Sequence, residues 1–312
     1  MPEVSVIIPN YNHAVFLKQR VDSVLNQTYQ DFEVIILDDC STDNSKDVIE
    51  QYRSHTRISQ VIYNEQNSGS TFKQWIKGIS LAQGNYVWIA ESDDWCEPTF
   101  LENILPAMLL KPDCVVGYCQ AYCVVGNEIK AQTSHLYLSE YIDGLSFIKK
   151  YMITTNSIYN ASMAVWKKDA LKNISLDFVN YRFCGDWLFW IELCTTGKVF
   201  ISGRLLNYFR KHSMDVSGNA YSTGLNFIEE LKLLKVINQK KLIGERVYKK
   251  EIARKFFNYK MKENIISAEM KNVIMQWFLK DVSINYLHKN YIELILKYKG
   301  YRFVKALIKK YK

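Results

Sequence analysis

A chain of 312 residues, 48% hydrophobic and 23% charged, suits one large domain with an appendage and a sizeable buried core. It contains no run approaching the ~18 to 20 apolar residues that a membrane-spanning helix needs, and its first residues lack the basic leader of a signal peptide. The net charge of +8 is unevenly held: residues 231–312 contain 21 Lys and Arg against 6 Asp and Glu, which leaves residues 1–230 at −7. An acidic first part joined to a basic last part predicts two different jobs.

In chain order, VSVIIP reads as a buried strand and residues 14–26 as a helix with Phe16, Leu17, Val21, Val24 and Leu25 on one side. FEVIILDD is a second strand, residues 43–52 a helix that Ser41 or Asp43 can cap, SQVIYN a third strand and residues 72–82 another helix. NYVWIA is the fourth strand. Pro98 opens a helix through Phe100, Leu101, Ile104, Leu105, Met108 and Leu109, which Pro106 is expected to kink or end early. CVVGYCQAYCVV supplies one or two further strands. A short helix around 144–152, a helix from near Gly185, and KVFISGRLLNYFRKHS as strand, turn and strand follow; from about Asn226 the pattern is helical and basic. Strand and helix in alternation predict an α/β fold with a Rossmann-like, mostly parallel sheet flanked by helices, and a C-terminal helical extension over 227–312.

In such sheets ligands bind beyond the carboxyl ends of the strands, near the point where strand order reverses. The residues beyond the first strand are Pro9, Asn10, Tyr11 and Asn12, and beyond the second Asp38, Asp39, Cys40, Ser41, Thr42 and Asp43. Asn64, Glu65, Asn67, Ser68 and Gly69 follow the third, and Glu91, Ser92, Asp93 and Asp94 the fourth. Polar and acidic groups thus gather on one rim. Hard carboxylate oxygens suit Mg²⁺ or Mn²⁺, often shared with substrate phosphates, and Asp93 and Asp94 are the candidate ligands. Asp39 can accept from a nucleobase N–H or a ribose hydroxyl. Neither GxGxxG nor GxxxxGK[ST] occurs, so a phosphate-bearing ligand has to rely on a metal and on basic side chains. Those appear in NYFRKHSMDVS as Arg210, Lys211 and His212, the last able to ligate a metal or donate to a phosphate. Asp186 in CGDWLFW is either an N-cap carboxylate or a general base in a partly apolar pocket formed by Trp187 and Trp190. Trp95 is expected to pack as a wall behind the acidic site.

Taken together, VSVIIPNYNHAVFLKQRVDSVLNQTYQDFEVIILDDCSTDNS, NSGSTFKQWIKGISLAQGNYVWIAESDDW, FCGDWLFWIEL and NYFRKHSMDVS resemble family 2 glycosyltransferases of the GT-A fold, over about residues 3–216. The resemblance implies a GT-A domain over 1–226, with a nucleotide-binding half to about 125 and an acceptor half beyond it. Pro9, Tyr11, Asn12, Asn67 and Asp39 would line the nucleotide-sugar site. Asp93 and Asp94 would hold ribose and a divalent cation, Mn²⁺ or Mg²⁺, with His212 beside it, and Asp186 would be the catalytic base of an inverting transfer. The chain departs from the family pattern twice. Glu91 stands where the family often has Asp, a longer carboxylate that can still reach ribose or metal. FKQWIKG replaces a frequent Arg-Asn pair, so Lys73 or Lys77 either substitutes at the phosphates or is solvated helix charge.

The expected partners are a UDP-sugar donor and a glycan or lipid-linked acceptor. The acceptor and linkage are set by loops over about 126–160. From Tyr301, an apolar face of Tyr301, Val304, Leu307, Ile308 and Tyr311 opposes Arg302, Lys305, Lys309, Lys310 and Lys312. That face suits an anionic membrane surface, the protein itself or a second copy in a homodimer; no nucleic-acid motif occurs. Seven cysteines without paired CxxC spacing read as reduced core thiols, and the expected location is cytoplasmic, peripheral at the inner face of the cell membrane. The competing functions are a sugar nucleotidyltransferase, which would want a glycine-rich basic loop after the first strand, and a non-catalytic sugar-nucleotide-binding scaffold.

Overall fold

The computed structural model of the protein describes residues 1–212 and 216–310, with residues 216, 217, 219 and 299–310 described by backbone alone. Contacts divide the chain into two compact units, Met1–Ser213 and Met214–Lys312; the sequence pattern changes later, near 226.

The first unit opens with β1 (Val4–Asn10), α1 (Ala14–Leu25), β2 (Phe32–Asp38), α2 (Ser45–Glu50), β3 (Ile58–Tyr63), α3 (Thr71–Leu81) and β4 (Tyr86–Ile89). β1, β2 and β4 are buried at every position, the expected consequence of near-continuous apolar runs covered on both faces. These strands pair in parallel in the order β3-β2-β1-β4. The chain steps outward from β1 to β3 and then returns past β1 to β4. Direction therefore reverses between β1 and β4, and the loops leaving those two strands diverge to open a crevice. Pro9, expected just beyond β1, lies inside it and is buried. Ile7 accepts from Ala90, and Pro9, two residues on, faces the same side just past the last β1–β4 pair. A residue without an N–H is tolerated there because no ladder partner needs one.

The unit continues through β5 (Trp95–Cys96), α4 (Phe100–Leu109), β6 (Cys114–Val125), β7 (Glu128–Gln132), β8 (Ser139–Asp143), α5 (Gly144–Phe147), β9 (Ala164–Lys167), α6 (Gly185–Cys194) and β10 (Lys198–Lys211). The sheet extends from β4 through β9, β6 and β10 to β5, with β9 antiparallel to both its neighbours and β10 parallel to β6. The expected strand–turn–strand over KVFISGRLLNYFRK is instead one long strand, β10, whose register shifts between Ile201 and Asn207. A bulge absorbs there what the sequence suggests as a turn. Pro106 does not end α4; the helix runs one turn further, to Leu109.

The second unit is helical: α7 (Val216–Thr223), α8 (Leu225–Gln239), α9 (Glu245–Lys262), α10 (Ala268–Leu279) and α11 (Ile284–Lys310). Gly224, at φ +83°, supplies the left-handed turn between α7 and α8. Phe227, Leu234, Ile252, Phe256, Ile274, Phe278 and Leu287 fill its core, and Lys255 and Glu230 form a buried ion pair at 2.5 Å. The two faces expected from Tyr301 onward lie on side chains outside those described. Among the described residues no helix is long and apolar enough to cross a membrane.

Candidate active site

Four parallel strands deliver four polar loops, residues 10–13, 38–43, 64–70 and 91–94, to one edge of the sheet. The first two are laced together. Asp38 accepts from Asn10 Nδ2 (2.8 Å), from Ser41 Oγ (2.6 Å) and from the Ser41 amide (2.9 Å). The Asn12 amide donates to Ser41 Oγ at 2.9 Å, and Asn12 Oδ1 accepts from the Thr42 amide at 2.7 Å, which holds Asn12 at φ 56°. Asp38 and Asn12 therefore shape the crevice wall, while Tyr11 stands exposed on it.

Asp39 is only 4% exposed. Its Oδ1 accepts from Asn64 Nδ2 (2.6 Å), the Ser68 amide (2.9 Å) and Gln74 Nε2 (2.8 Å), whereas Oδ2 takes Ser68 Oγ alone (2.7 Å). Oδ2 thus keeps capacity for a further donor. Asn67 donates to the Asp39 main-chain carbonyl (3.0 Å), and Lys77 reaches Asn64 Oδ1 (2.5 Å), so the first holds the Asp39 backbone and the second, through Asn64, its carboxylate. Lys73 is exposed at the mouth, its Nζ on the Ser68 carbonyl at 3.2 Å.

After β4 a turn closes with the Asp94 amide on the Glu91 carbonyl (3.2 Å) and sends adjacent carboxylates opposite ways. Asp94 points inward, 1% exposed, and accepts from the Arg210 amide (3.0 Å) and from Asn160 Nδ2. Asn160 is in turn bonded to Asn207 at 3.2 Å. Burial, with Asp93 beside it, pushes the Asp94 carboxyl up to about 7. Asp93 points outward, 3.0 Å from His212 Nε2; burial works against its charge, but the His212 hydrogen bond and the two imidazoles hold its carboxyl below the usual range. Glu91 keeps part of its surface open, yet desolvation and the charge of Asp93 push it up to about 8, with Trp75 Nε1 donating to its Oε1 at 2.8 Å. The Glu91 carboxyl thus turns back onto α3.

The basic residues are mostly committed. Arg210 donates Nε to the Asp93 carbonyl (2.8 Å) and Nη2 to Gln19 (2.7 Å), with its guanidinium between the Phe16 and Trp95 rings, 4.5 Å from each. It is a clamp under the acidic turn, and Lys211 lies over the Phe209 ring at 4.2 Å. Trp95 stacks on Tyr208 at 4.7 Å and walls the site as expected. Arg20, fully buried, donates to the Glu91 carbonyl (2.9 Å) and supplies positive charge beneath Glu91 and Asp94.

One group of side chains is new. Ligand atoms of His13, Asp93 and His212 lie within 4.8 Å of one another. The two imidazoles meet edge to face at 5.3 Å, and His13 Nδ1 lies 2.8 Å from Ser92 Oγ. Burial lowers the His13 pKa, which favours the neutral imidazole. His13 and Asp93 lie in the loops that leave β1 and β4, the two strands that flank the reversal of strand order. Two imidazoles and a carboxylate are a donor set that fits a divalent transition cation. Asp94, the other expected ligand, is not in this group, because its oxygens face Asn160 and Arg210.

Asp186 sits in the first turn of α6, its Oδ2 accepting from Asn156 Nδ2 at 3.0 Å. Cys184, not Asp186, occupies the N-cap position. Trp187 and Trp190, expected around it, are buried in the core, and Trp187 donates to the Met152 carbonyl (2.8 Å). The start of α6 is set by Gly185, where a Cβ would lie 2.4 Å from the Phe72 ring and 2.6 Å from the Phe178 carbonyl. Phe72 packs on Trp75 at 5.1 Å, and Trp75 holds Glu91, so α3 links α6 to the acidic turn. Gly185→Ala is therefore expected to cost about 1–3 kcal/mol of stability through overpacking, and to lower kcat with little change in donor affinity. Thermal melts and steady-state kinetics measure both.

Residues 5–174, more than half of the chain, match the family model of glycosyl transferase family 2. The chain belongs to that family. A teichuronic acid biosynthesis glycosyltransferase of Bacillus subtilis, TuaG, is 41% identical over 108 residues, 35% of this chain and 42% of that protein, so the match spans less than half of TuaG. The GalNAc(5)-diNAcBac-PP-undecaprenol beta-1,3-glucosyltransferase of Campylobacter jejuni is 25% identical over 256 residues, 80% of this chain and 79% of its own length. Among solved structures, residues 1–349 of TarS from S. aureus in complex with UDP-GlcNAc superpose over 96% of this chain and 92% of that one. The TM-score is 0.71 at 19% identity, which establishes a shared fold, GT-A.

The sequence pattern singles out Asp39, Asp93 and Asp186, whereas the structure adds His13 and Arg20 beside the acidic turn, Asn160 on Asp94 and Asn156 on Asp186. His13 had a signal in its place beyond the first strand, on the same rim as the acids. Arg20, on a helix, and the two asparagines, in irregular segments, had none.

Proposed function

We propose that this glycosyltransferase is inverting and metal-dependent. It moves a sugar from a nucleoside-diphosphate sugar, a UDP-sugar, to a hydroxyl of a saccharide or lipid-linked acceptor in surface polysaccharide or glycan biosynthesis. The observation that carries this reading is the meeting of Asp93 and His212 at the reversal of strand order, on the same rim as an Asp39 carboxylate with acceptor capacity to spare. The teichuronic acid biosynthesis and the undecaprenol-linked glycan in the names of its relatives, and the UDP-GlcNAc in the solved TarS complex, support the donor and acceptor classes.

In this mechanism Asp39 Oδ2 accepts from the nucleobase, with Tyr11 and Asn67 beside it and Lys73 at the mouth toward the diphosphate. Asp93 and His212 would hold Mn²⁺ or Mg²⁺, which when bound offsets the charge that develops on the leaving diphosphate. Asp94 and Arg210 support the turn from below. Asp186 takes the proton of the acceptor hydroxyl as that oxygen bonds to the anomeric carbon. The carbon–oxygen bond to the diphosphate breaks on the opposite face, its electron pair leaving with the nucleotide, and configuration inverts. The enzyme acts at the cytoplasmic face of the membrane, where the basic region over 231–312 meets anionic lipid.

A thermal-shift screen of nucleotide sugars with Mn²⁺ and with chelator, followed by product analysis, tests this. A UDP-sugar is expected to raise Tm by several degrees with metal and to be transferred with inversion. Binding without donor hydrolysis would leave a scaffold, and undiminished transfer in chelator would remove the metal.

A further inference from the structure

We propose that His13 is a third protein ligand of the cation, so that His13, Asp93 and His212 together hold it and favour Mn²⁺ over Mg²⁺. This rests on the metal-dependent reading above and deepens it. A cation with bonds of about 2.1 Å joins ligand atoms roughly 3 Å apart when adjacent and roughly 4.2 Å apart when opposite. The three side chains already offer atoms within 4.8 Å of one another, so closures of at most about 1–2 Å between them complete the set. His13 is held for this. Its carbonyl accepts from the Phe16 and Leu17 amides at 2.9 and 3.0 Å, which anchors it at the start of α1. Its ring stands 6.0 Å from Phe16, a residue that also packs on His212 at 5.2 Å.

The contact between His13 Nδ1 and Ser92 Oγ, at 2.8 Å, is the kind of second interaction that orients a ligating imidazole and leaves Nε2 to the metal. Ser92 is 2% exposed and lies between Glu91 and Asp93, so the residue orienting His13 belongs to the turn that presents Asp93. A nitrogen-rich set also separates the two candidate ions. Mg²⁺ demands oxygen ligands and retains its waters, whereas two imidazoles favour a transition cation.

The test uses the full chain and Mn²⁺ alone, with free Mn²⁺ followed by its EPR signal and no turnover required. Wild type is expected to bind Mn²⁺ at least about tenfold more tightly than His13→Gln, with Mg²⁺ affinity, read by competition, changed far less. Equal Mn²⁺ affinity in wild type and His13→Gln, with Asp93→Asn much weaker, overturns the His13 assignment and keeps the Asp93 site. No Mn²⁺ binding by wild type, or binding unchanged in Asp93→Asn, overturns the metal reading itself and the assignment with it. A measurement on wild type guards against a variant that fails to fold. Electron spin-echo spectroscopy of the Mn²⁺ complex is expected to show hyperfine coupling to two imidazole nitrogens, and a single coupled nitrogen would overturn the proposal.

Discussion

Asp186→Asn is expected to lower the transfer rate by roughly 10²–10⁴-fold, the usual contribution of a positioned general base, while donor and metal affinities stay near wild type. Asparagine keeps the size of the side chain and can still offer an oxygen to the Asn156 amide, which lies 3.0 Å from the present carboxylate. It has no oxygen basic enough to take the acceptor proton. Gly185 and the buried Trp187 keep the start of α6 in place, so the loss should fall on kcat and leave KM for the donor nearly unchanged. Single-turnover kinetics beside calorimetric titration of UDP measure the two quantities. Turnover at wild-type rate would remove Asp186 as the base.

The second large effect separates two neighbouring aspartates. Asp93→Asn is expected to abolish Mn²⁺-dependent donor binding with a Tm close to wild type, because its carboxylate faces the His212 imidazole at the rim. Asp94→Ala is expected to do the reverse. It strips the Arg210 amide and the Asn160 side chain of a buried acceptor, at a cost of about 2–4 kcal/mol, or a fall in Tm of roughly 5–10 °C for a unit of this size. What remains folded at low temperature should still bind Mn²⁺. Melting curves and Mn²⁺ titrations on both variants decide it, and a stable Asp94→Ala that fails to bind metal would make Asp94 the ligand.

Much of the first unit was legible in the sequence because its signals are local. Continuous apolar runs ending in polar clusters mark strands buried on both faces, and the helical spacing between them marks the crossovers. The place of the rim follows, since parallel strands deliver all their ends to one edge. The loops that carry Asp39 and Asp93 could therefore be placed on the rim before any coordinates, and the start of the helix that carries Asp186 near Gly185. The long strand β10 was harder, because Gly203 and Arg204 look like a turn and a bulge in pairing with β6 cannot be seen from one strand alone.

The sequence by itself thus determined the strand and helix order, the polar rim and the loops that carry the chemistry, because those depend on periodicity within a few residues. Only the tertiary structure decided which carboxylate faces the crevice and which side chains gather beside it. Asp94 is turned inward by Asn160 and Arg210, 66 and 116 residues away. Arg210 is held by Gln19, Phe16 and Trp95. His13 meets Asp93 only because the chain passes outward through β2 and β3 before returning to lay β4 beside β1. A contact made by that return has no local period to announce it, which is why a histidine in plain view beyond the first strand acquired its partners only in three dimensions.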